Sequence, residues 1–422
     1  MREINTASAA SSPFRGWRMV GLGFLSTNFS IGLTFGSYGI LMGGISQEFT
    51  APRWLSAMGL ALIVLLIALV SPLLGAALDR GSIRNIMFTG VLLLAAGLVT
   101  AGMAPNIWVF LLGFGVLGGI GTTLMGPLPA TTLGNNWFAD RRGMVIGIIN
   151  IPLFIMLAPI LVTLLVSELG WRNTLFCMAA AVTLFLPLVW QVVSRPREIG
   201  QEPYREIKGS SEDEEEGEPV AMKSLLVHFH YLVANVCVGL LLAGGIVLVT
   251  HAVPYALGRD FSAQEAAILL SVNGGAAMLG AFSFGWLADR IGPAYALLLN
   301  AILQAVFWSL LLFNPSYSFL LLLFIAVGVC GGGVFPAFST LMSVELGRSS
   351  LGTALGLSAL IILPFNFTAA PLAGYLYDRT GNYLPAFQLH IVLFLVAAVL
   401  LFMFLRPRPK KDAAGAQLPQ DN

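Results

Sequence analysis

Long apolar runs separated by short polar breaks fill almost the whole chain. Each run reaches about 20 residues, the length of helix that crosses the hydrocarbon core of a bilayer. The alternating ten-residue segments of a membrane β-barrel are absent. The pattern predicts twelve membrane-spanning helices. In the first half these are Trp17–Leu41, Trp54–Leu78, Ile86–Met103, Ile107–Leu133, Met144–Val166 and Thr174–Val193. In the second half they are Ser224–Val249, Ala266–Leu287, Ala294–Phe313, Ser318–Val344, Leu351–Tyr375 and Leu384–Phe404.

The polar remainder divides the chain. Residues 1–16 and 406–422 are tails, and residues 194–223 separate a bundle over 17–193 from one over 224–405. That separator carries Glu212-Asp-Glu-Glu-Glu216-Gly-Glu218. Its like charges repel and it has little to bury, so it reads as an acidic linker rather than a cation site.

The halves also repeat. Gly75-Ala-Ala-Leu-Asp79-Arg80-Gly81 returns as Gly285-Trp-Leu-Ala-Asp289-Arg290-Ile-Gly292, about 210 residues later. Gly143-Met-Val-Ile-Gly147 pairs with Gly352-Thr-Ala-Leu-Gly356, and Gly170-Trp171 with Gly381-Asn382, at nearly the same offset. A duplicated six-helix unit predicts two pseudo-repeats around a shared cavity.

Composition agrees: 57% of residues are hydrophobic and 10% charged, against roughly 25% charged in soluble domains. Of the 22 Lys and Arg, only Arg53, Arg172, Arg259 and Arg379 fall in the loops opposite the termini. This bias predicts both termini in the cytoplasm, and the expected location is the inner (plasma) membrane. Cys177, Cys237 and Cys330 are isolated in apolar runs and read as core.

The charged turns resemble the signature of the major facilitator superfamily. Gly75–Arg84 is similar to its most specific motif, Gly285–Gly292 to the second-half copy, and Gly374-Tyr-Leu-Tyr-Asp378-Arg379-Thr-Gly381 to a late external turn. Gly118-Gly-Ile-Gly121, Pro127 and Asn136-Trp137-Phe138-Ala-Asp140-Arg141-Arg142-Gly143 resemble the monocarboxylate-porter and oxalate/formate-antiporter branch, as does His251-Ala-Val-Pro254-Tyr255. The resemblance implies an all-α transporter fold that works by alternating access. The sequence departs from that branch in two places. Ala266–Leu287 lacks the arginine expected in span eight, with Asn273-Gly-Gly-Ala-Ala277 in its place, and Leu351–Tyr375 lacks a lysine.

Intramembrane ionisable residues are costly and functional by default, and the mid-span regions nearly lack them. Fixed-charge recognition of a dianion is therefore disfavoured. His251, beside Pro254, is the candidate for proton coupling, because a histidine titrates near neutral pH. Its bland alternative is a polar side chain that wets the helix end. His228, His230 and His390 read as interfacial or structural. Mid-span amides must face the interior, since amide donors facing lipid go unpaired. Asn28, Asn150, Asn235, Asn273 and Asn366 are thus either helix–helix ties or substrate contacts, with Asn28 and Asn273 preferred as contacts. Tyr38, Thr122, His251 and Tyr255 complete the candidate substrate set, with external Arg259 in reserve. The glycine runs Gly115–Gly121 and Gly328–Gly333 read as close helix packing.

The resemblance makes Asp79 and Asp289 gating charges, with Arg80, Arg84 and Arg290 beside them. Arg141 or Arg142 would pair with Asp79, and Arg348 with Asp289. The favoured function is proton-coupled or exchange transport of a small organic anion, especially a monocarboxylate. Transport of a neutral or amphipathic vitamin- or drug-like compound is the alternative, and a non-transporting sensor a distant third. No zinc spacing, nucleophile–base pair or phosphate loop points to an enzyme. No cofactor or metal is expected. The expected partners are a small-molecule substrate, a proton and the lipid bilayer, without nucleic acid, and the protein is expected to be a monomer.

Overall fold

The computed structural model describes residues 13–205, 225, 227–346 and 351–404. The acidic run, Arg348, the C-terminal tail and residues 1–12 lie outside them, as do the side chains of Asp79, Arg80 and Arg142. Among the described residues, eleven helical stretches are long and apolar enough to span a membrane. One of these, Met144–Val189, has 46 residues, about 69 Å if straight and more than twice the hydrocarbon thickness. Gly170 folds it in two, with φ 78° and ψ 163°, a conformation that any Cβ would strain.

The spans are therefore twelve. They are α1 (Gly16–Glu48), α2 (Arg53–Arg80), α3 (Ile83–Gly102), α4 (Ile107–Trp137), α5 (142–169), α6 (171–189), α7 (Phe229–Leu257), α8 (Ala263–Ile291), α9 (Pro293–Leu311), α10 (Tyr317–Leu346), α11 (Leu351–Thr380) and α12 (Leu384–Phe404). Both described ends lie on one face, called here the terminal face; the other is the far face. Several helices run a turn or more past the expected apolar limits. α1, expected to end at Leu41, continues to Glu48 because that carboxylate has partners beyond the hydrocarbon.

Three spans are broken mid-membrane. α1 widens to a π-turn at Asn28–Gly32, α4 opens at Gly126 before Pro127, and α5 breaks between Ile149 and Leu153 around Pro152. A break frees backbone groups that hydrocarbon cannot satisfy. Asn28 supplies the missing partners for α5. Its Nδ2 donates to the carbonyls of Phe24 and Ile151, both at 3.0 Å, and its Oδ1 accepts from the Phe154 N–H at 2.8 Å.

The first bundle is α1–α6 and the second α7–α12, with separate apolar cores. They meet along α1–α7, α2–α11 and α5–α8. Under the sequence repeat α2 maps to α8 and α5 to α11, so the last two seams are mirror copies. Gly381 has φ 75° at the α11–α12 turn, where Gly170 stands between α5 and α6. Within the second bundle α8 and α10 approach closely: a Cβ on Gly280 would strike the Val329 carbonyl, and one on Gly332 the Ala277 carbonyl. The Gly328–Gly333 run thus serves packing.

The start of the expected linker is not free. Ser194 Oγ accepts from Ile83 N–H, Trp137 Nε1 donates to the Val193 carbonyl, and Tyr204 pairs with the Trp137 backbone. The Tyr204 ring packs on Phe138 and Phe14. Residues 194–205 therefore belong to the first bundle, held by aromatic burial that outweighs their polar composition.

At the far face, Glu48 clamps three elements. It accepts from Trp171 Nε1 at 2.7 Å and from Arg172 Nε and Nη2 at 2.9 and 2.7 Å, while Arg172 also donates to the Gly102 and Ala104 carbonyls. Both ionic side chains are partly solvated, which limits the worth of the pair. Glu48→Ala is expected to cost about 1 kcal/mol of stability, read as a small fall in the thermal midpoint in detergent.

Candidate substrate cavity and far-face seal

A cavity of about 290 Å³ lies between the bundles, lined from α1, α2, α7, α10 and α11. This is at the lower end of small-molecule sites. Its walls are apolar, with Phe35, Phe335 and Phe338 among them; Ser71, Ser358 and Asn366 are the polar side chains in the lining. Ser71 and Ser358 already donate to the carbonyls one turn back, Ile67 and Ala354. The phenol of Tyr231 also meets Ser358 Oγ at 3.1 Å. Asn366 is different, since its Oδ1 is buried and has no hydrogen-bond partner among the described residues. That oxygen has no surface open to the cavity, although the residue is part of its wall.

The lining reaches Ser71 and Leu355, toward the terminal face. At the far face the same α2–α11 seam is shut. α2 begins after Pro52 and has no side-chain cap of its own. Asp378 of α11 provides one across the seam, accepting from the backbone N–H groups of Arg53 at 3.0 Å and Trp54 at 3.1 Å. A carboxylate at a helix N-terminus is favoured by both hydrogen bonding and the helix dipole. Gly374 permits the approach, since a Cβ there would sit 2.7 Å from Trp54 N. The repeat-related helix α8 is instead capped locally, by the Ser262–Glu265 capping box.

A second contact runs through Arg53. Its guanidinium lies 3.8 Å from the Tyr377 ring centre and donates to the Tyr383 hydroxyl at 2.7 Å. Burial raises the pKa of the Tyr383 phenol, although nearby Arg53 opposes this, so the group stays protonated and able to donate. His251 stands 3.1 Å from that hydroxyl through Nδ1 and 2.8 Å from the Ala370 carbonyl through Nε2. A carbonyl only accepts, so Nε2 carries the proton and Nδ1 accepts from Tyr383. Arg53, Tyr383, His251 and Ala370 thus form one directional chain that joins α2 to α7, α11 and α12.

Most of the expected substrate contacts are hydrogen-bonded as ties in this structure. His251 is buried within the seal, not wetting a helix end, because Tyr383 and the Ala370 carbonyl satisfy both ring nitrogens. Asn28 is spent on the α5 break. Asn273 donates to the Phe324 carbonyl at 2.9 Å, tying α8 to α10. Tyr38 bonds the Ser56 carbonyl, and Asn150 and Asn235 donate one turn back to Ile146 and Tyr231. Tyr255 accepts from Arg259, which also donates to Pro315. Thr122 is buried in α4, its hydroxyl without a partner among the described residues. None of these side chains lines the cavity; Asn366 alone of the substrate set does. The sequence does not single out Ser71 and Ser358, since a serine one turn after a backbone acceptor is ordinary in a membrane helix.

The expected gating arginines are placed less fully. Arg84 lies 5.5 Å from the Trp190 ring centre, Arg141 lies 6.0 Å from that of Tyr204, and Arg290 lies 4.3 Å from that of Trp286, the helix turn before it. Asp289 ends α8 on the same face.

The sequence profile of the Major Facilitator Superfamily matches residues 24–358 and 236–420. Monocarboxylate transporter 13 of Rattus norvegicus is 28% identical over 386 residues, which cover 88% of this chain and 85% of that protein. Monocarboxylate transporter 12 of Rattus norvegicus is 25% identical over 440 residues, covering 95% and 88%. Among solved structures, a bacterial homolog of the human lysosomal transporter Spinster, inward-facing and unoccupied, superposes with a TM-score of 0.73. It covers 93% of this chain and 97% of that one at 16% identity, a likeness of fold. With two six-helix repeats, an intervening cavity and a profile match over most of its length, the chain is a transporter of the Major Facilitator Superfamily.

Proposed function

We propose that the protein carries a small monocarboxylic compound across the inner (plasma) membrane by alternating access, with proton coupling or exchange. The terminal face is cytoplasmic in this reading, on the distribution of Lys and Arg. The observation that carries the proposal is the cavity between the bundles, closed at the far face by contacts that cross the seam. Such contacts can break when the bundles rock, which supplies a two-state element. The names of the relatives support the substrate class. Asn366 is the substrate contact, and His251 works within the seal. Asp79 and Asp289, with their neighbouring arginines, close the terminal face in the opposite state.

Purified protein in proteoliposomes is expected to show saturable flux of labelled monocarboxylates under an imposed pH gradient. Ligand binding without flux would make it a sensor instead. The sparse polarity of the lining favours a second reading, a neutral or amphipathic cargo. Competition of carboxylate flux by neutral aromatic compounds, but not by other acids, would select it.

A further inference from the structure

We infer that the outer side of the α2–α11 seam is a lipid site, holding an acyl chain of an anionic phospholipid from the far leaflet while the far face is shut. The site is distinct from the transport pathway and does not depend on the cargo. A groove of about 510 Å³ opens there, walled by Trp54 and Met58 of α2 and by Phe367, Pro371, Leu372 and Tyr375 of α11. On α11 the cavity between the bundles takes Ser358, Ile362 and Asn366, four residues apart along one stripe. Pro371, Leu372 and Tyr375 lie on roughly the opposite side of the helix. Trp54, Leu372 and Tyr375 are exposed, and an exposed apolar side chain on a membrane span faces lipid.

Length and charge select the occupant. Phe367 and Tyr375 are eight residues apart, about 12 Å of helix and close to the ~15 Å hydrocarbon depth of one leaflet. A partner's membrane-spanning helix needs a face twice as long. Trp54 and Tyr375 stand at the mouth, where amphipathic rings mark the membrane interface. One turn beyond, the guanidinium of Arg379 lies 5.4 Å from the Tyr375 ring centre. Arg379 is exposed and makes no hydrogen bond or ion pair among the described residues. The neighbouring ionic groups are committed, Asp378 to the Arg53 and Trp54 N–H groups and the Arg53 guanidinium to Tyr377 and Tyr383. Arg53, Asp378 and Arg379 together leave one net positive charge at the mouth. This complements a headgroup phosphate that has no ammonium of its own.

The walls come from opposite bundles, so parting the seam that Asp378 latches also parts the groove. A ligand that binds one state and not the other shifts the equilibrium toward the state it binds. The bound lipid therefore favours the far-closed state, from the membrane side of the same seam.

The test uses the full-length protein in nanodiscs of equal parts phosphatidylglycerol and phosphatidylcholine with identical chains. A photo-crosslinker is placed in the groove lining, Thr368→p-benzoylphenylalanine, or on the exposed side of α12, Leu395→p-benzoylphenylalanine. Lipid adducts are identified by mass. Those at Thr368 are expected to favour phosphatidylglycerol about fivefold, the factor for one cation beside an anionic headgroup. Those at Leu395 should follow the bilayer. Arg379→Gln, at an exposed position, should return the Thr368 adducts to the bilayer ratio. Spin labels at Pro105 and Phe313, in far-face loops of the two bundles, should show a larger short-distance population in phosphatidylglycerol than in phosphatidylcholine, and Arg379→Gln should erase the difference. Thr368 adducts that match the bilayer, or an enrichment that survives Arg379→Gln, overturn the anionic-lipid site. Enrichment with unchanged distances overturns its preference for the far-closed state. Cross-linked dimers in place of lipid adducts give the groove to a second copy of the chain and overturn the inference.

Discussion

Asn28→Leu is expected to destabilise the protein by about 1–3 kcal/mol, lowering its thermal midpoint in detergent by several degrees. The side chain serves the Ile151 carbonyl and the Phe154 N–H, one on each side of the α5 break. Leucine keeps the bulk but leaves the Phe154 N–H unpaired in an apolar interior, at about 1–3 kcal/mol, while the Ile151 carbonyl keeps the Leu153 N–H at 2.9 Å. The third bond, to Phe24 on its own helix, belongs to the α1 π-turn. Thermal unfolding followed by intrinsic tryptophan fluorescence measures the change. A substrate contact would behave otherwise, with weaker ligand binding and an unchanged midpoint, and that outcome would return Asn28 to the cavity.

Asp378→Ala is expected to shift the conformational equilibrium about 30-fold toward a far-open state. Hydrogen bonds to a charged group contribute about 1.5–3 kcal/mol net, and about 2 kcal/mol corresponds to that factor. The loss falls on one state because α2 has no cap of its own beyond Pro52. In the closed state Asp378 satisfies Arg53 and Trp54; once the seam parts, water must do so. Helix α8, capped by Ser262 and Glu265, has no such dependence on state. Spin labels at Pro105 and Phe313, in far-face loops of opposite bundles, should show a larger long-distance population in the variant. Asp378→Asn, which keeps an acceptor but no charge, should fall between. An unchanged distance distribution in Asp378→Ala would remove the latch.

Much of this protein could be read from the order of its residues. The twelve spans follow from run length, because hydrocarbon imposes a fixed length on any helix that crosses it. The duplication follows from Gly75–Gly81 and its copy, and from Gly170 and Gly381, whose backbone conformations no other residue adopts cheaply. Residues 194–205 read as linker by composition, which reports charge but not the pocket that Phe14 and Phe138 offer to Tyr204.

The division at the candidate site has a physical cause. Any amide in a membrane helix must turn inward, and local sequence reveals that requirement for Asn28, Asn150, Asn235, Asn273 and Asn366 alike. Which of them finds a backbone partner depends on breaks and neighbours more than a hundred residues away, as Asn28 does at Ile151 and Phe154. Asn366 Oδ1, like Asn235 Oδ1, finds no partner among the described residues, and of the five amides Asn366 is the one in the cavity lining. His251 joins the seal because α12 brings Tyr383 beside it. Span count, repeat and inward polarity are properties of a segment in its solvent, so the chain order carries them. Cavity, latch and ligand contact are properties of pairs of distant segments, and they exist only once the two bundles have packed.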